Sequence, residues 1–139
     1  MLKTEEKYRI LVVDNDNRFL ERISTILRHL VKSDETSVIC KPDVENIDKL
    51  VQKRMDFAFL DERAFTNDAL LSGLYNTNPN CLIILMISDN GGQNIKEIIK
   101  TFENHNQVFM GQYILKDNYP DYIIKILCKK YLQKVIHLN

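Results

Sequence analysis

The 139-residue sequence is short of several things, and each shortage closes a class of answer. Its three cysteines, Cys40, Cys81 and Cys128, are odd in number, far apart and without a C-x-x-C pair. That excludes a disulfide framework and a cysteine zinc site, and leaves reduced thiols of a cytoplasmic protein as the simplest reading. No charge sign is in excess, with 19 Lys plus Arg against 19 Asp plus Glu and a pI near 6.8, so no general field draws in nucleic acid or an anionic membrane. No apolar run approaches the roughly 20 residues that cross a bilayer. The first nine residues are charged rather than apolar, which reads as soluble and unsecreted. The histidines His29, His105 and His137 are scattered and form no ligand set. With four glycines and three prolines, the chain shows no linker, low-complexity tract or internal repeat.

What remains is an ordinary globular composition, 45% hydrophobic and 27% charged. A chain of this length forms one domain, residues 1–139, able to remove about two thirds of its unfolded surface from water. Its pattern alternates short apolar runs with segments of helical period. Residues 8–13 read as a strand, followed after Asp16 and Asn17 by a helix with Leu20, Ile23, Ile26, Leu27, Leu30 and Val31 on one face. A strand at 37–41 precedes a helix opened by Pro42-Asp43, with Val44, Ile47, Leu50 and Val51 apolar. Residues 57–60 form a third strand, then a polar loop and a helix over about 67–75. The isoleucine-rich run 82–87 is continuously apolar, as a strand covered on both faces must be. Gly91-Gly92 frees the chain to turn into a helix with Ile95, Ile98, Ile99 and Phe102 inward. After the polar stretch 103–107 come a strand at 108–115 and a last helix from Pro120, with Ile123, Ile124, Leu127, Tyr131 and Val135 inward. Lys125, Lys129, Lys130 and Lys134 form its wet face. Five β/α units with right-handed crossovers make an α/β fold: a doubly wound, five-stranded parallel sheet in the flavodoxin-like order 2-1-3-4-5, with helices on both faces.

Four of the apolar runs stop at one polar residue each: Asp14, Asp61, Ser88 and Lys116. In an open parallel sheet the carboxyl ends of the strands form the ligand crevice, so two carboxylates, a hydroxyl and an ammonium converge there. Such a set suits a metal ion and a phosphoryl group.

These residues resemble, by position and over essentially the whole chain, the receiver domain of two-component response regulators. Residues 10–16, ILVVDND, resemble the first strand and acidic pair, and 55–61, MDFAFLD, the strand ending in the phospho-acceptor. Ser88 falls at the hydroxyl position, Lys116 at the lysine, and Tyr113 at the aromatic switch position. The resemblance implies a signalling domain rather than a turnover enzyme. Asp61 would accept a phosphoryl group from a histidine kinase, a phosphotransfer protein or a small phosphodonor. Mg²⁺ would be held by Asp14, Asp61 and the carbonyl of Arg63, with Asn15 at the second acidic position. Lys116 would pair with Asp61 before transfer and with the phosphoryl group afterwards, while Ser88 would donate to a phosphoryl oxygen. Inward movement of Ser88 and Tyr113 would alter the surface of the fourth helix, fifth strand and last helix, where a downstream protein reads it.

Several positions depart from the family. Asn15 replaces a carboxylate with a neutral amide, which lowers the expected Mg²⁺ affinity. Asp89 brings charge beside the incoming phosphoryl group, Asp117 stands where proline is typical, and the loop 62–67 has no proline. Arg63 is also a candidate to neutralise Asp61 or Asp89 in place of metal. These departures define the alternative, a degenerate receiver that binds a partner without phosphorylation. Asp14-Asn15-Asp16 also resembles the D-x-D of haloacid-dehalogenase-type phosphatases, but Arg18 and an idle Asp61 fit that family poorly. An FMN-binding flavodoxin would need its phosphate loop at the acidic 14–16 turn, where like charges oppose it.

Overall fold

The computed structural model describes residues 7–88, 95–105 and 111–136, with Ile47, Ile95, Ile98 and His105 described as backbone only. Five strands, β1 (Tyr8–Val13), β2 (Thr36–Lys41), β3 (Phe57–Asp61), β4 (Leu82–Ile87) and β5 (Tyr113–Leu115), form one sheet in the order β2-β1-β3-β4-β5. Every pairing is parallel. Because side chains alternate across a strand, β1, β3 and β4 feed two separate cores. Leu11, Val13, Ala58, Leu60, Ile83 and Leu85 face one, together with Phe65 and Phe102, whose rings meet edge-on at 4.9 Å. Ile10, Val12, Phe57, Phe59, Ile84 and Met86 face the other. Burial on both faces is why 10–13, 57–60 and 82–87 are apolar without interruption.

The second core lies under α1 (Asn17–Leu30) and α6 (Asp121–Leu132). Asp16 caps α1, its Oδ1 accepting from the N–H groups of Arg18 and Phe19 at 3.1 and 3.3 Å. On α6, Ile124, Cys128, Tyr131 and Leu132 are buried and Lys125, Lys129 and Lys130 face solvent, as does Lys134 just beyond the helix. Val135, expected inward, is 42% exposed. The helix ends at Leu132, so its phase no longer applies, and Ile136 is buried instead. Burial pushes the Cys128 thiol up to about 12, as it does for Cys81, so both are inert core side chains.

The first core is covered by α2 (Ile47–Leu50), α3 (Glu62–Phe65), α4 (Asp68–Thr77) and α5 (Ile95–His105). The helix expected from Pro42 shrinks to the single turn of α2. Asp43 Oδ1 accepts from the Glu45 N–H at 3.0 Å, and Asn46 takes a left-handed φ of 59°, two local arrangements that displace a helical start. Val44 and Val51 still pack on the core, so their spacing signalled burial rather than helix. The expected polar loop after Asp61 is instead a helical turn, α3, capped by the Asp61 side chain. Asn67 caps α4 through its Oδ1, 3.0 Å from the Leu70 nitrogen. This helix sits close to the segment after α2, since a Cβ on Gly73 would lie 2.6 Å from Val51 Cγ2. Helix α5 continues through Glu103, Asn104 and His105, which were expected outside it. The part of the expected fifth strand at 108–110 lies outside the described residues. No helix among the described residues is long and apolar enough to cross a membrane.

Candidate functional site

The carboxyl ends of β1, β3 and β5 bring Asp14, Asp61 and Lys116 to one rim. Asp14 follows the last residue of β1 and is fully buried. Its Oδ1 accepts two hydrogen bonds at 2.9 Å, from the Asp16 N–H and from Lys116 Nζ. Its Oδ2 is buried with no partner among the described residues. Burial raises the Asp14 carboxyl above its ordinary value, the hydrogen bonds from Lys116 and Asp16 and the Lys116 charge oppose that rise, and the charge of Asp61 adds to it. Asp61 ends β3 and is 7% exposed. Its Oδ2 accepts from the Asn15 N–H at 3.0 Å and its Oδ1 from the Ala64 N–H at 2.9 Å. The backbone after Asp14 thus touches Asp61 directly, and the two carboxylates share one corner.

Lys116 is 6% exposed and is anchored by its N–H to the Ile87 carbonyl at 2.9 Å. Its ammonium pairs with Asp14, not with Asp61 as the sequence suggested. The physical reason lies in what each carboxylate already has. Asp61 spends its oxygens on two backbone N–H groups as the cap of α3, whereas Asp14, deeper and with a bare oxygen, is the less compensated charge. Among the described residues, Lys116 is the ammonium that offsets it.

The remaining predicted residues are placed less centrally. Ser88 follows β4 and is half-buried. The Asn15 and Arg63 side chains are exposed. Arg63 lies within α3, where its carbonyl accepts from the Thr66 hydroxyl at 3.1 Å. Tyr113 is half-buried on β5, and the Tyr131 hydroxyl donates to its carbonyl at 2.9 Å and accepts from its N–H at 3.3 Å. One phenol from α6 therefore occupies both outward backbone groups of an edge strand. Tyr119 joins this cluster, its hydroxyl pushed up by burial and by its neighbour Tyr113. Asp117 is exposed, and Asp89 with Gly91 and Gly92 lies outside the described residues.

Among the described residues, no three His, Cys, Asp or Glu side chains cluster as a metal site. The donor set is two carboxylates, a neutral amide at Asn15 and backbone oxygen. That set fits a hard cation that keeps several of its waters, and the bare Asp14 Oδ2 is the oxygen it would meet.

Sequence reasoning passed over Phe19 and Arg22 at this rim. The apolar stripe of α1 was read from Leu20, yet Phe19 is the more deeply buried of the two, at 2% exposed. Its ring centroid lies 5.2 Å from Lys116 Nζ and 5.5 Å from the Arg22 guanidinium carbon. Arg22 in turn grips Asp121 Oδ1 through Nε at 2.9 Å and Nη2 at 2.7 Å, tying α1 to the start of α6. The 99-residue separation of that pair hides it from any local pattern.

This architecture is the receiver fold. The signal receiver domain of an HD domain-containing protein from Pseudomonas fluorescens superposes with a TM-score of 0.64 at 18% identity, over 93% of this chain and 97% of that one. A receiver domain of a DNA-binding response regulator from Colwellia psychrerythraea gives 0.63 at 14% identity, over 91% and 98%. A response regulator receiver domain protein from Clostridium thermocellum gives 0.60 at 14%, over 91% and 95%. No family model matches the chain, and no curated protein matches it. At such identities the likeness establishes the fold and its sheet order, and function rests on the site.

Proposed function

We propose that this chain is a phospho-accepting receiver of two-component signalling. The observation that supports the reading is the meeting of Asp14, Asp61 and Lys116 at one rim, with a buried Asp14 oxygen left without a partner among the described residues. Asp61 is the nucleophile. One of its carboxylate oxygens attacks the phosphorus of a phosphohistidine or acyl phosphate in line with the leaving group, whose bond to phosphorus breaks with its electron pair. An acyl phosphate on Asp61 results. The chain's part is positioning and charge, which is most of what phosphoryl transfer asks. The Asn15 and Ala64 N–H groups fix the Asp61 carboxylate, and Lys116 has only to exchange Asp14 for a phosphoryl oxygen. Ser88 offers a hydroxyl at the end of β4. Mg²⁺, held by Asp14, Asp61 and the Asn15 amide, would neutralise oxygen charge in the transition state. Arg63 would contribute its carbonyl, which accepts from the Thr66 hydroxyl through one lone pair and has a second.

The output surface in this reading lies between α5 and β5. A recess of about 390 Å³ there is lined by Lys96, Ile99, Lys100, Glu103 and Tyr113, so a movement of Tyr113 would reshape it. The phosphodonor is a histidine kinase or phosphotransfer protein, and a downstream protein reads the recess.

One observation favours a second reading, a phosphorylation-independent binding module: Lys116 is committed to Asp14 and leaves Asp61 to backbone donors. Incubation with a small acyl phosphate and Mg²⁺, followed by intact mass, separates the two. The receiver gains one acid-labile phosphoryl group, which Asp61→Asn abolishes, and the binding module gains none.

A further inference from the structure

We propose that Phe19 is a positioning residue for Lys116, its ring face holding the ammonium in the site while the ammonium exchanges one anionic partner for another. The proposal rests on the receiver reading for its consequence, and on geometry for its existence. Lys116 Nζ stands 2.9 Å from Asp14 Oδ1 and 5.2 Å from the Phe19 ring centroid, within the distance at which a ring quadrupole attracts a cation. Ammonium and ring are both almost fully buried, at 6% and 2% exposed, so water does not dilute the attraction.

A carboxylate is a directional, saturable partner, and an ammonium that leaves it in a dry site would normally stand unpaired. A ring face is different, because its attraction falls gently with lateral movement. Phe19 thus keeps a favourable contact with Lys116 whether the head group faces Asp14 or a phosphoryl oxygen on Asp61. The ring itself is immobilised. Phe19 sits in the first turn of α1, its N–H bonded to the Asp16 cap, and Arg22 one turn on lies 5.5 Å over the same ring. Arg22 is fixed by Asp121 and reaches the Tyr119 carbonyl at 3.4 Å, which closes the segment after Lys116 against α1.

The test compares Phe19→Leu, which keeps apolar volume and removes the ring, with Phe19→Tyr, which keeps the ring. Two readouts are taken on each full-length variant. In NMR, the Lys116 side-chain protons of the wild type carry an upfield ring-current shift that Phe19→Leu removes and Phe19→Tyr retains. With acetyl phosphate and Mg²⁺, Phe19→Leu slows phosphoryl acceptance by roughly three- to thirty-fold, the range expected for one desolvated cation–ring contact, and Phe19→Tyr restores it. In a Lys116→Met background the leucine substitution has no further effect on the rate. A Lys116 shift that is unchanged by Phe19→Leu overturns the proposal, as does an equal rate loss in the Lys116→Met background. If the wild type accepts no phosphoryl group, the receiver reading fails and the NMR comparison alone decides the role of Phe19.

Discussion

Two buried aspartates stand at opposite ends of the same sheet, and their surroundings differ in one respect. Asp56, just before β3, is 7% exposed, and both of its oxygens are engaged. Oδ2 accepts from the Arg9 N–H at 2.9 Å and Oδ1 faces Arg54 Nε at 3.5 Å. Arg54 continues to the Lys7 carbonyl at 3.0 Å, and Asn78 at the end of α4 holds the Met55 carbonyl at 3.0 Å. This end of the sheet is a staple joining β1, β3 and α4. Asp14, at the other end, is buried more completely and keeps an oxygen with no partner among the described residues. A buried acceptor without a donor costs stability, and the cost falls at the rim where parallel sheets bind ligands. The satisfied carboxylate serves the fold; in the proposed receiver reading, the unsatisfied one is where a cation would be met.

Substitutions at each end should therefore separate folding from chemistry. The largest effect is expected from Lys116→Met, which strands a buried carboxylate and should lower unfolding free energy by about 3 kcal/mol at neutral pH, measured by urea denaturation. The loss should shrink as pH falls, because Asp14 can then take a proton. Next comes Asp56→Ala, which leaves the Arg9 N–H and the Arg54 guanidinium without their acceptor and should cost about 2 kcal/mol by the same measurement. Phosphoryl acceptance by the folded fraction should be unchanged. Tyr131→Phe removes the hydroxyl from both backbone groups of Tyr113 and should cost about 1 kcal/mol, with faster hydrogen exchange confined to β5. The smallest net stability effect is expected from Asp61→Asn, below about 1 kcal/mol: its amide oxygen can still cap α3, and the lost bond from the Asn15 N–H is offset by removal of a charge that repels Asp14. Loss of stability on the scale of Asp56→Ala would show that Asp61 is a structural carboxylate like Asp56.

The pH dependence sharpens the same contrast. Burial raises the folded Asp14 carboxyl above its ordinary value near 3.8, so the native state binds more protons than the unfolded chain between those two values. Across that window Asp14's contribution to stability declines as pH rises, and it is flat above the folded value. Urea midpoints measured through the acid range should show this slope in the wild type and lose it in Asp14→Asn. Lys116→Met, which removes the partner that lowers the Asp14 value, should extend the slope to higher pH.

Much of this was legible in the sequence, and the parts that were not share a cause. The strand read at 8–13 and the continuous apolar run at 82–87 became β1 and β4 with the expected bounds, because burial on both faces leaves little choice of residue type over 10–13 and 82–87. The 2-1-3-4-5 order followed from alternating strands and helices. Residues 42–51 misled because Val44, Ile47, Leu50 and Val51 carry helical spacing while Asp43 and Asn46 impose local turns. The short helix α3 was hidden because its cap, Asp61, also ends a strand. At the site, Asp14, Asp61 and Lys116 announced themselves by ending apolar runs. Their pairing did not. Which carboxylate receives the lysine depends on backbone donors supplied by Asn15, Asp16 and Ala64, and no side-chain pattern encodes those. Phe19 was passed over because the stripe was read from Leu20; it is core, and a buried ring beside an ammonium also acts electrostatically.

The claim beneath all of this is that the Asp61 carboxylate accepts phosphorus. After exposure to acetyl phosphate and Mg²⁺, borohydride reduces an aspartyl phosphate to homoserine, and peptide mass mapping then locates it. The account predicts homoserine at position 61 in the wild type and nowhere in Asp61→Asn. Homoserine at position 14, or at no position, would contradict it.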